Sequence, residues 1–86
     1  MLTDYVEAAM RKAKYKLLDS DEGYAGTIPG FRGLWANAKS LKGCRTELRS
    51  VLEDWLLIKL RHNDDDLPVV AGMNLNPKPR PKKKVA

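Results

Sequence analysis

Eighty-six residues suffice for one small domain and leave no room for two. Hydrophobic residues make up 43% and charged residues 31%, as in an ordinary soluble globular chain. One cysteine (Cys44) excludes an internal disulfide. With one histidine (His62) it also falls short of a structural zinc site, which usually takes four such ligands. No apolar run approaches the ~20 residues of a membrane span, and the N-terminus lacks the apolar core of a signal peptide. The expectation is a cytoplasmic protein with no membrane segment, metal or cofactor.

The net charge of +5 is unevenly placed. Residues 1–76 hold 11 Lys/Arg and 11 Asp/Glu, so they balance. Residues 77–86 hold five cations and no acid. The folded part is therefore expected to be neutral, with no basic nucleic-acid-binding face.

In chain order, the first element reads as a helix. Thr3 is a candidate cap, Asp4 and Glu7 suit the positive end of the dipole, and Arg11 and Lys12 suit the negative end. Val6, Ala9, Met10 and Ala13 make an apolar stripe at helical spacing. Lys14-Tyr15-Lys16-Leu17-Leu18 then alternates as a strand, with Tyr15 and Leu17 on one face. Residues 19–23 are a turn by composition, and residues 24–28 a second strand, giving a β-hairpin. The breakers of residues 29–33 precede a third strand at 34–38. Trp35 and Asn37 share one face of it; Leu34, Ala36 and Ala38 share the other. Alternation alone does not say which face is inside, although tryptophan at such a position is more often core than interface anchor.

Ser40 caps the longest element, a helix over residues 41–62. At 100° per residue, Leu41, Cys44, Leu48, Val51, Leu52, Trp55, Leu56 and Ile58 fall within about 160°, a core face to lay on the sheet. Leu57 and Leu60 fall outside it and suggest a second buried surface, such as a subunit contact. His62, Asn63 and Asp64-Asp65-Asp66 end the helix. Met73-Asn74-Leu75 could add a short fourth edge strand, and the Pro- and Lys-rich stretch beyond Asn76 reads as an extended or disordered tail. The fold class expected is α+β: a short N-terminal helix, a three-stranded antiparallel sheet and a long second helix.

Three blocks in this order carry a family resemblance. The first is Asp4-Tyr5-Val6-Glu7-Ala8-Ala9-Met10 followed by Lys14-Tyr15. The second is Gly26-Thr27-Ile28-Pro29-Gly30-Phe31-Arg32-Gly33-Leu34-Trp35-Ala36. The third runs from Ser40 through Cys44 and Leu48 to Leu52-Glu53-Asp54-Trp55-Leu56. Together they resemble the HicB-like antitoxins over residues 2–75. The resemblance implies a reduced ribonuclease-H-like fold, a homodimer or homotetramer, and a partner: HicA, a small basic toxin that cleaves mRNA with a histidine. Many HicB-like proteins also carry a C-terminal DNA-binding domain and repress their own operon. The eleven residues after Leu75 are too few for one.

The acidic turn Asp19, Asp21 and Glu22 suits a basic partner as a phosphate mimic, or is a plain solvated turn; a metal would need more ligands fixed in space. Trp35 is a hot-spot candidate for toxin binding. Leu57 and Leu60 are the candidates for self-association. In the tail, Lys78, Arg80, Lys82, Lys83 and Lys84 can attract nucleic-acid phosphates without reading sequence, or simply solubilise the chain. Asp64–Asp66 read as a solvated stop, with contact to the tail or the toxin as the alternative. Cys44 reads as a buried thiol and His62 as a structural or solvated residue. Glu53 and Asp54 point apart and make no acid/base pair. No catalytic residue is expected. The readings left open are an antitoxin that sterically neutralises a HicA-like toxin, a nucleic-acid-binding regulator acting through the tail, a solitary HicB-like interaction protein without a surviving toxin, and, least favoured, a residual magnesium nuclease.

Overall fold

The computed structural model describes residues 2–77. The elements are α1 (Leu2–Arg11), β1 (Lys14–Leu17), β2 (Tyr24–Thr27), β3 (Trp35–Ala38) and α2 (Leu41–Arg61). The strands form one antiparallel sheet in the order β1-β2-β3. This is the expected α+β architecture. Helices cover one face, α2 packing on β3 and β2 and α1 packing beside α2.

The ends of α2 show why the helix starts and stops where it does. Ser40 is in extended conformation, and its hydroxyl accepts from the Gly43 N–H at 2.9 Å. At the other end Asn63 takes a left-handed conformation (φ 58°). The Asp64 N–H then reaches the Lys59 carbonyl and the Asn63 N–H the Leu60 carbonyl, at 3.0 and 3.1 Å. That pair of bonds is a Schellman closure with asparagine in the usual glycine position. Lys59 and Arg61 sit in the last turn, favourable for the dipole.

Register explains the core. The row Tyr15–Gly26–Ala36 faces the helices, and Gly26 lets α2 approach closely. A Cβ on Gly26 would lie 3.0 Å from the Tyr15 ring and 3.2 Å from the Cys44 Sγ. Cys44, Leu48, Leu52 and Leu56 are the buried stripe of α2. They meet Tyr5, Val6, Ala8 and Ala9 of α1 and Ile28, Phe31, Leu34 and Ala36. Phe31 anchors the β2–β3 loop between Tyr5 and Trp55, with ring centroids 6.3 and 5.2 Å away.

Four apolar residues depart from the expectation. Trp35 is 60% exposed: it pairs with Thr27, which pairs with Lys14, and that row lies on the open face. Leu17 is on the helix side of the sheet but 66% exposed. Ile58 is 54% exposed, because the buried stripe of α2 is narrower than the apolar arc and centres on Leu48 and Leu52. Leu41, in the first turn, is also exposed.

The expected fourth strand is a tight turn instead. Val70 and Met73 exchange two backbone bonds across Ala71 and Gly72, both with positive φ (47° and 79°), as a two-residue hairpin requires. Asn76 closes the segment on itself. Its side chain accepts from the Leu67 N–H at 2.7 Å and donates to the Leu67 carbonyl at 2.9 Å. The Tyr5 hydroxyl donates to the Pro68 carbonyl, joining this loop to α1. Leu67 and Val70 are buried and belong to the core.

Candidate interaction surfaces

The acidic turn is an ordered structure on the hairpin tip. The Leu18 N–H donates to the Gly23 carbonyl (2.7 Å) and the Glu22 N–H to the Asp19 carbonyl (3.2 Å). Gly23 has φ +87°, and a Cβ there would collide with the Ala38 carbonyl. The Lys39 ammonium donates to the Asp21 carbonyl at 2.6 Å, tying the turn to the β3–α2 junction. Asp19, Asp21 and Glu22 are all exposed.

Trp35 does not join them. The turn follows Leu17, whose row is Leu17–Tyr24–Ala38, whereas Trp35 pairs with Thr27 at the far end of β3. Three residues separate the two rows, about 10 Å along the strand. The neighbours also differ in sign. The open face carries Lys14, Thr27 and Trp35 in one row and Lys16, Ala25 and Asn37 in the next. None of these is a carboxylate. Asp19, Asp21 and Glu22 thus stand on the hairpin tip, and Lys14 and Lys16 on the open face of the sheet. This places Lys14 and Lys16 on the same face as Trp35. The signal was present in the sequence, since Lys14 and Lys16 share a face, but aligning them with Trp35 takes the cross-strand register.

Leu57 and Leu60 lie on α2 with Ile58 close by. Leu57 is 59% exposed and Leu60 38%. The acidic run is largely solvent-exposed, as expected of a stop, and two of its carboxylates also meet Lys59. Lys59 donates to both carboxylate oxygens of Asp66 (2.9 and 2.8 Å), lies 3.8 Å from Asp64, and sits over the Trp55 ring at 5.2 Å. The hydrogen bond to Lys59 holds the Asp66 carboxyl below its ordinary value, and the same bond raises Lys59. Gly30, Arg32, Trp55, Lys59 and Asp66 line a hollow of about 260 Å³. Its Lys59 and Asp66 are bonded to each other.

Cys44 is buried, its thiol donating to the Ala36 carbonyl at 3.6 Å, and burial pushes its pKa up. His62 caps α2, its N–H on the Ile58 carbonyl. Glu53 pairs with Arg49 one turn away, at 3.3 Å. Among the described residues no group of three or more His, Cys, Asp or Glu could hold a metal ion, and no helix is long and apolar enough to cross a membrane. The tail cations Lys78, Arg80, Lys82, Lys83 and Lys84 lie outside the described residues.

These features define a small two-layer α+β domain with two helices on one face of a meander and an open opposite face. The chain belongs to the UPF0150-like family, whose sequence model matches residues 4–68. It is also similar to a solved structure, TTHA0281 from Thermus thermophilus. The identity is 40% and the TM-score 0.80, over 90% of this chain and 94% of that one. No curated protein matches.

Proposed function

We propose that this protein is an antitoxin that works by gripping another protein, a small HicA-type mRNA-cleaving toxin, and masking its active site. The family to which the chain belongs is related to the HicB-like antitoxins. The observation that carries the reading is the acidic hairpin tip. Three exposed carboxylates stand on a turn closed by backbone bonds and tied by Lys39, a preformed anionic knob. A basic ribonuclease presents a surface made for phosphates, so such a knob speeds encounter and competes with RNA. Because the turn is already ordered, little conformational entropy is lost on docking. The toxin contact centres on Asp19, Asp21 and Glu22. The protein itself performs no chemistry in this scheme.

Self-association completes the proposal. Leu57 and Ile58, with Leu60, give α2 an apolar flank that a second copy would cover. Changing Leu57 and Leu60 together to polar residues should move the mass by light scattering toward monomer; an unchanged mass would refute that placement.

The toxin reading is tested by growth rescue. Co-expression should restore growth to cells making a HicA-type toxin. The triple change Asp19→Lys, Asp21→Lys, Glu22→Lys should abolish rescue while the purified variant melts normally. Full rescue by the triple variant would place the contact elsewhere.

A further inference from the structure

A tryptophan 60% exposed on a sheet does no packing that folding needs, and the groups around it are those that hold a polyanion. In its row stand Thr27 and Lys14, and in the adjoining row Ala25 and Lys16. The neighbouring Thr27 and Ala25 are short, so the indole is not walled in on the β2 side. Lys14 and Lys16 lie two residues apart on the same face, about 7 Å along the strand, where they repel unless an anion lies between. No ion pair among the described residues engages either of them. At the same end of the sheet, Arg11, Lys12, Ala13, Lys14 and Pro29 line an open hollow of about 500 Å³. It borders Lys14 at the β1 edge of the sheet, and Lys14 shares its row with Thr27 and Trp35.

A protein partner fits this face poorly, because lysine is depleted in the cores of protein–protein interfaces. A duplex also fits poorly: its bases are stacked inside and offer no face to an exposed indole. A single strand presents both a charged backbone and free base faces.

We propose that the open face of the sheet binds single-stranded RNA, with a base stacked on Trp35 and phosphates held by Lys14, Lys16 and the Arg11–Lys12 corner. This site is separate from the acidic hairpin tip and does not depend on the antitoxin reading. The strand runs across β3, β2 and β1, since Trp35 and Lys14 are two inter-strand spacings apart, about 10 Å. Thr27 and Asn37 offer hydrogen bonds along it. Contacts of this kind are sequence-tolerant, because every base has a π face.

The test uses the full chain and a labelled oligouridylate of about ten nucleotides in a fluorescence anisotropy titration. Saturable binding that weakens as salt rises is expected. Trp35→Ala should weaken it by about tenfold, in the range of a lost base stack, with an unchanged thermal midpoint. Trp35→Phe should retain most of it. Replacing Lys14 and Lys16 together by serine should flatten the salt dependence. A chain with Lys78, Arg80, Lys82, Lys83 and Lys84 changed to serine should keep its sensitivity to Trp35→Ala. Trp35→Ala should still rescue growth against the toxin, which separates this site from the hairpin tip. The proposal is overturned if the wild-type chain shows no saturable binding, if folded Trp35→Ala binds equally well, or if binding vanishes with the tail cations. It is equally overturned if Trp35→Ala lowers the mass in solution, because the face is then a contact between copies.

Discussion

On the inner face of the sheet the row Tyr15–Gly26–Ala36 is pressed against α2, and a methyl group on Gly26 would crowd the Tyr15 ring and the Cys44 sulfur. One register step away, on the outer face, the row Lys14–Thr27–Trp35 stands in water and carries a tryptophan. The inner face uses small residues to bring a helix close. The outer face places its bulk where nothing in the domain covers it. A tryptophan in that position adds nothing to the core. Charge differs as well: Asp19, Asp21 and Glu22 stand on the hairpin tip, and Lys14 and Lys16 on the open sheet.

Substitutions can break that contrast between faces. Leu52→Ala, in the fully buried stripe of α2, should lower stability by about 2–5 kcal/mol in urea melts. A loss well under that would mean the inner face is loosely packed. Gly26→Ala should come next, at about 1–3 kcal/mol, through overpacking against Tyr15 and Cys44. Asn76→Ala should cost about 1–2 kcal/mol by releasing both backbone groups of Leu67, and thermal melts would detect it. Trp35→Ala should change stability by no more than about 0.5 kcal/mol; a large loss would show that the outer face is structural after all. The smallest effect belongs to Asp66. Lys59 holds its carboxyl below the ordinary value, so the stabilisation is present above that value and is lost as pH falls through the depressed one. Asp66→Asn should therefore lower the melting midpoint slightly at neutral pH, and the two curves should converge in acid.

Much of this was readable from residue patterns alone. Alternation and turn composition located β1, β2 and β3 to within a residue, and Ser40 located the start of α2. The buried stripe was harder, since Ile58 and Leu41 fit the same arc as Leu48 and only the placement of α2 on the sheet excludes them. The face of Trp35 was not readable, because β3 alternates large and small residues equally well in either orientation. It is decided by pairing with β2, where Gly26 must lie inside. Residues 67–76 were missed for a different reason. Their order comes from Asn76 reaching back to Leu67 and from Tyr5 reaching Pro68, long-range hydrogen bonds that leave no period in the sequence.

Under the proposed function this fold acts by occupying a ribonuclease rather than by altering a substrate. The most direct measurement titrates the purified protein into an mRNA-cleavage assay with a HicA-type toxin from the same organism. Cleavage should fall in proportion to added protein and stop near equimolar ratio, while the hairpin-tip triple variant leaves it running. Undiminished cleavage with the wild-type protein in excess would contradict the account.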